Sequence, residues 1–188
     1  MGKFILIKMD KNFYYINISN FETLRNKILD KLNLDLSIDI NLVKYNEVFN
    51  LIPEINDILS YLSIESYKRS ISTISVKSKG QLPIHKDDGF YIWSLNIPLS
   101  YTDNTYTVFY NVNEDDRIEM PSRNGGATYI KYPEEKAVEI DRFILDKPAI
   151  MNTKIAHNVI NFNNKPRYTL GIRLNLNFNP LVLKKFFI

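Results

Sequence analysis

Two patterns of apolar residues divide the chain near residue 68. Before that point, "SNFETLRNKILDKLNLDL" (19–36) places Leu24, Ile28, Leu32 and Leu34 at helical spacing. Ser19 or Asn20 precedes the run as an N-cap candidate, with Glu22 in the first turn. "YNEVFNLIPEINDILSYLSI" (45–64) predicts a second helix, with Val48, Leu51, Ile55, Ile58 and Leu62 on one face and Pro53 early in it. "KFILIKM" and "NFYYINI" read as short strands. From residue 68 onward the period drops to two. "SISTISVKS", "YIWSLNIPL", "TYTVFYNV", "NGGATYIKY", "AVEIDRFIL", "PAIMNT", "AHNVINF" and "YTLGIRLNLNF" are short, rich in β-branched and aromatic residues, and separated by turn residues. Such a series predicts a closed sandwich or barrel, with the N-terminal helices packed outside and shielding one sheet.

The 188 residues suit one domain, with strands and bracing helices over 1–67 and a β core over 68–180. Hydrophobic residues make up 45% of the chain, enough for a sizeable core. The net charge is +3, spread along the chain without a basic cluster or a stacking motif, so composition gives no support to a nucleic-acid partner. With no cysteine, the chain has neither disulfides nor thiolate ligands, and any metal must be held by His, Asp or Glu. The N-terminal apolar run "FILI" is too short for a signal peptide core or a membrane span, and Leu6 breaks the myristoylation pattern that Gly2 begins. The expectation is a cytoplasmic protein with no membrane partner.

Within the β region, "LPIHKDDG" (82–89) carries one of only two histidines, His85, two residues before Asp87. Alternate residues of a strand project from one face, so His85 and Asp87 point the same way, as two cis ligands of one metal must, while Lys86 points away. An isolated H-x-D also suits a polar turn. The second histidine, His157, lies in the apolar, β-branched setting of "AHNVINF", near the other end of the β region. In a rolled sheet the two strands can be neighbours. Two imidazoles and one carboxylate on one face of a metal leave the opposite positions open, as in non-haem Fe(II) sites.

The run "HKD", then "AH", then "KPR", ten residues from His157 to Arg167, resembles the Fe(II)/2-oxoglutarate-dependent oxygenases, loosely the aspartyl-β-hydroxylase-like and small bacterial or phage members. The resemblance covers roughly residues 70–178. It implies a double-stranded β-helix of the jelly-roll or cupin type. It also implies Fe(II) held by His85, Asp87 and His157, with 2-oxoglutarate and O₂ as co-substrates. Arg167 then matches the residue that binds the distal carboxylate of 2-oxoglutarate, to which its guanidinium offers a bidentate fork. Thr169, two residues on, faces the same way and offers a hydroxyl. Arg173, six residues on, is a second candidate anchor.

Ser94 and Asn96 alternate with Trp93, Leu95 and Ile97. They either point into a polar co-substrate site or are satisfied by a neighbouring loop backbone, since an unpaired buried amide costs about 1–3 kcal/mol. Tyr106 and Tyr110 are candidates for the same cavity. The expected activity is hydroxylation of a C–H bond coupled to decarboxylation of 2-oxoglutarate. The substrate is open between a small molecule and a protein side chain. The competing readings are a jelly-roll binding or virion-associated module without turnover, and a cupin-like metalloenzyme that uses the triad without an oxoacid.

Overall fold

The computed structural model describes residues 5–9, 12–32, 40–42, 45–61, 66–87, 92–100, 102–120 and 129–174. Within them the alternating stretches form two antiparallel sheets. The larger has β1 (Ile5–Met9), β2 (Phe13–Asn17), β11 (Ala149–Asn152), β6 (Trp93–Pro98), β13 (Arg167–Leu174), β4 (Ser66–Val76) and β3 (Ile40–Leu42), in that order. The smaller runs β10 (Val138–Phe143), β7 (Thr105–Asn111), β12 (Ala156–Asn161), β5 (His85–Lys86), β9 (Tyr129–Lys131) and β8 (Ile118–Met120). The chain alternates between the sheets from β4 to β7 and again from β10 to β13, with β8 and β9 added to the smaller sheet between, which is the expected double-stranded β-helix. Strands β1, β2 and β3, from the first 67 residues, belong to the same sheet as β4, β6, β11 and β13.

The period of two decides which layer each side chain joins. Trp93, Leu95 and Ile97 of β6 pack on the outside of the larger sheet with Ile71, Ile150, Leu170 and Ile172. There they meet Leu24 and Ile28 of α1 (Phe21–Lys31), Val48 of α2 (Tyr45–Leu51), and Ile55 and Ile58 of α3 (Pro53–Tyr61). The intervening residues turn inward, where Ser94 pairs in register with Arg173, and Asn96 with Gly171. All six residues of β6 are buried, so this strand has a dry apolar face and a polar face turned to the interior.

The expected single second helix is two. Helix α2 ends at Leu51, and Pro53 opens α3. Proline disfavours helical geometry in the residue before it but suits the first position of a helix, so the pattern breaks there. The break rotates the buried face. Ile52 and Leu59 join Val48, Ile55 and Ile58 in the core, whereas Leu51 is 41% exposed. Leu34 and Leu62 lie outside the described residues. Asn20 is the N-cap of α1, but it adopts a left-handed conformation (φ 60°) and its side chain makes no capping hydrogen bond. Among the described residues, no helix is long and apolar enough to cross a membrane.

Between the sheets the interior is divided. At the β2–β10 side, Phe13 stacks on Phe143 at 4.0 Å between ring centroids, and Phe109, Leu145, Ala149 and Met151 complete an apolar plug. At the β4–β5 side the inward residues are largely polar. There a cavity opens between β13 and β12.

Candidate metal centre

Strands β5 and β12 run antiparallel, with His85 and His157 directly opposite each other. Paired residues share a face, so both rings enter the barrel, 4.5 Å apart between centroids. Asp87 follows β5 and is fixed by its backbone N–H, which donates to Thr153 O (3.1 Å). Its Oδ1 lies 3.6 Å from His85 Nε2. One ligand atom from each of the three residues can be chosen so that all lie within 4.8 Å of one another.

The donor set fits a divalent metal. In each histidine Nδ1 stands 2.8 Å from a backbone carbonyl, Pro83 O for His85 and Ile155 O for His157. A carbonyl only accepts, so Nδ1 carries the proton and the lone pair of Nε2 faces the cavity. Burial, reinforced by the neighbouring His85 ring, pushes the His157 pKa down to about 4, which keeps the ring neutral at pH 7. Burial opposes the charge of Asp87, but Arg173 and the two imidazoles outweigh it and hold the carboxyl well below its usual range. Two imidazoles and one carboxylate are a donor set that suits a divalent metal.

Arg173, on β13, crosses from the larger sheet to pair with Asp87 Oδ2. The two carboxylate oxygens are thereby divided: Oδ2 goes to the guanidinium and Oδ1 faces the histidines. Arg173 therefore stands at the metal ligands rather than at the far end of the cavity.

Arg167 lies at that far end. It is 3% exposed, and among the described residues its guanidinium meets only Thr107 Oγ1, 3.4 Å from both Nη1 and Nη2. Its buried Nε has no partner among them. Among the described residues no acidic side chain offsets it, and burial pulls its pKa down to about 10, so it stays cationic at neutral pH.

One cavity is lined by eight of the candidate residues named from the sequence: His85, Asp87, Ser94, Asn96, His157, Arg167, Thr169 and Arg173. Asn96 Nδ2 makes only a long 3.4 Å contact to Ser94 O, so a neighbouring loop does not account for it. The two tyrosine candidates are elsewhere. Tyr110 donates to Asn158 Oδ1 (3.2 Å), and Tyr106 packs edge-on to Phe162; neither lines the cavity. Thr107 and Gly171 also line it and escaped the sequence reading. The signal for Thr107 was a hydroxyl two residues before Phe109, on the inward parity of an aromatic strand.

No family model matches the chain, and no curated protein matches it in sequence. Among solved structures it is similar to EvdO2 from Micromonospora carbonacea var. aurantiaca, at 12% identity over 90% of this chain and 92% of that one, with a TM-score of 0.50. It is also similar to EctD from S. alaskensis, whose structure was determined with 2-oxoglutarate and 5-hydroxyectoine. That match has 15% identity over 93% of this chain and 72% of that one, again with a TM-score of 0.50. At these identities the likeness establishes a shared fold, the double-stranded β-helix.

Proposed function

We propose that the protein is an Fe(II)- and 2-oxoglutarate-dependent oxygenase that hydroxylates a C–H bond. The observation that carries this reading is Arg167, a buried cation with no acidic partner among the described residues, in the cavity that holds the His85–Asp87–His157 triad. An isolated buried charge costs several kcal/mol, and an anion entering the cavity offsets that cost. The spacing suits a short dicarboxylate. Thr107, which touches Arg167, lies two residues from Phe109, the cross-strand partner of His157. One such step along a strand is roughly 7 Å. The shared fold adds support, since EctD holds 2-oxoglutarate in its own structure.

Iron, when bound, supplies the oxygen chemistry: one atom of O₂ ends in succinate and the other in the new hydroxyl, with CO₂ released. The chain's own residues bind and orient. His85 and His157 present Nε2, and their Nδ1–H groups lock the ring orientation on Pro83 O and Ile155 O. Asp87 supplies one oxygen while Arg173 restrains the other. Arg167 holds the distal carboxylate of the oxoacid and Thr169 stands beside it. Ser94 and Asn96 supply polar groups to the middle of the cavity. The plug of Phe13, Phe109 and Phe143 keeps the opposite end of the barrel dry.

The test is an anaerobic titration with Fe(II), with and without 2-oxoglutarate, followed by aerobic turnover with ascorbate. A weak visible charge-transfer band that needs both components is expected, as is slow succinate formation seen by NMR. Succinate should disappear in Asp87→Ala and fall in Arg167→Ala. Absence of both 2-oxoglutarate binding and succinate would leave a metal-binding jelly roll without oxoacid chemistry.

A further inference from the structure

We propose that the outer surface of the turns after β4, β6 and β12 binds single-stranded nucleic acid, with Phe162 stacking on a base and Lys77, Lys79 and Lys165 meeting its phosphates. None of these four residues lines the cavity, so the inference stands apart from the oxygenase reading. The turns are 77–80, 102–104 and 162–166. Asn161, 1% exposed, ties the first to the last. Its Nδ2 donates to Lys77 O (3.0 Å) and to Lys165 O (2.8 Å), and Lys79 N donates to Asn163 O (2.9 Å). The middle turn joins them through Phe162 N, which donates to Asn104 O (3.0 Å). Lysines far apart in sequence are thereby gathered at one place, in a cluster that no run of the chain displays.

All three lysines are exposed, and none forms an ion pair among the described residues. Asp103 is the one acid on the three turns, so the surface keeps a net positive charge. Phe162 is 60% exposed, with Tyr106 edge-on to it at 6.2 Å between centroids. A large apolar ring left in water on a braced turn offers an aromatic face to a partner. Its neighbours on the turns, Ser78, Asn104, Asn163 and Asn164, are polar. A membrane surface would need a wider apolar area than this one ring. A duplex keeps its bases stacked inside and has no free face for it. A single strand offers both phosphates and unstacked bases, the two groups that lysines beside an exposed aromatic ring recognise.

The experiment measures binding of a fluorescently labelled oligothymidine strand, about 15 nucleotides long, to the full chain by anisotropy. With the three lysines each neutralising a phosphate, log K should fall against log salt with a slope of about −2. The triple variant Lys77→Gln, Lys79→Gln, Lys165→Gln should weaken binding by about tenfold or more and flatten that slope. A second triple variant, Lys31→Gln, Arg117→Gln, Lys136→Gln, removes the same charge from exposed residues that already pair with carboxylates, and should change little. Phe162→Ala should weaken oligothymidine by about tenfold. It should leave an abasic sugar-phosphate strand of the same length unaffected. Equal losses in the two triple variants would overturn the assignment in favour of net charge alone. Wild-type affinity in Phe162→Ala would overturn it by removing the stacking contact. No oligothymidine binding at low salt, with Phe162-dependent binding to phosphatidylserine vesicles instead, would overturn it in favour of a membrane surface, and binding to neither would overturn it outright.

Discussion

His85 and His157 face each other across the β5–β12 pair, 72 positions apart in sequence and directly opposed in register. The metal centre is therefore a property of the sheet. Antiparallel pairing sets the two rings side by side, and Asp87, just past the end of β5, is held beside them by its N–H bond to Thr153 O. Each ring is already turned by its Nδ1–H bond, so the candidate ligands are ordered without a metal.

It follows that His85→Ala, Asp87→Ala and His157→Ala should each sharply weaken Fe(II) binding while the fold survives, because the core lies elsewhere, around Leu95, Ile97 and Ile172. Calorimetric titration under anaerobic conditions, with circular dichroism of each variant, checks this. Wild-type affinity in His157→Ala would rule out the triad.

Arg173 makes a different prediction. Its pair with Asp87 is mostly shielded, and removing one member of such a pair leaves a charge without its partner. Arg173→Ala should destabilise the metal-free protein by about 2 kcal/mol, below the usual cost of breaking a fully buried pair because both side chains keep some solvent contact. A bound divalent ion supplies the missing positive charge, so saturating metal should narrow the deficit. Thermal melts of wild type and variant, with and without Mn(II) as a redox-stable probe, read both numbers. An equal deficit in the two conditions would show that Arg173 acts on packing and not on the carboxylate.

The pH dependence has a definite sign. His157 has a folded-state pKa of about 4, below its ordinary value. As pH falls from about 6.5 to about 4, the unfolded chain takes up a proton that the folded chain refuses, and metal-free stability drops by up to about 3 kcal/mol. Asp87 continues the trend further down. Its lowered pKa contributes stability that is present above about pH 4 and lost as the pH falls toward the folded value. Urea denaturation of metal-free protein between pH 4 and 7 should show the slope, and His157→Gln should flatten it. Identical slopes would remove His157 as the cause.

Much of this arrangement is legible in the chain. The alternation of "WSLNIP" announces one face for a core and another for something polar, and the structure puts helices on the first and the cavity on the second. H-x-D carries its own geometry, because two residues on a strand cannot avoid sharing a face. What stayed hidden depends on pairing across distance. Strands β3 and β8 have three residues each, too few to display a period; β3 forms along the edge of the longer β4, and β8 along the equally short β9. The division of labour between the two arginines of β13 could not be read from spacing. Both have inward parity, and only the opposite sheet separates them by setting Asp87 against Arg173 and Thr107 against Arg167. Pro53 was read as an early residue of one helix; the break before it, and the rotation that buries Ile52 and exposes Leu51, follow from how α2 and α3 settle on the sheet.

Gly171 gives the last prediction. It stands on the inward face of β13, four residues from Arg167 and two from Arg173, so the path from the anion anchor to the metal ligands passes it. A Cβ built there would meet Asn96 Oδ1 at 3.5 Å, Ile74 Cδ1 at 3.7 Å and Ser72 O at 3.8 Å, all ordinary contacts. The backbone therefore accepts a side chain, and the absence of one serves the cavity. Alanine should fold at least as well, since glycine in a strand interior is costly by roughly 0.5–1 kcal/mol. Leucine should fill the space an oxoacid needs. The expected series is Fe(II) affinity constant across wild type, Gly171→Ala and Gly171→Leu, with 2-oxoglutarate binding weakened in the first variant and lost in the second. Anaerobic titration of the three metal-loaded proteins measures it. If Gly171→Leu binds 2-oxoglutarate like wild type, the oxoacid does not lie along β13, and Arg167 must serve another anion.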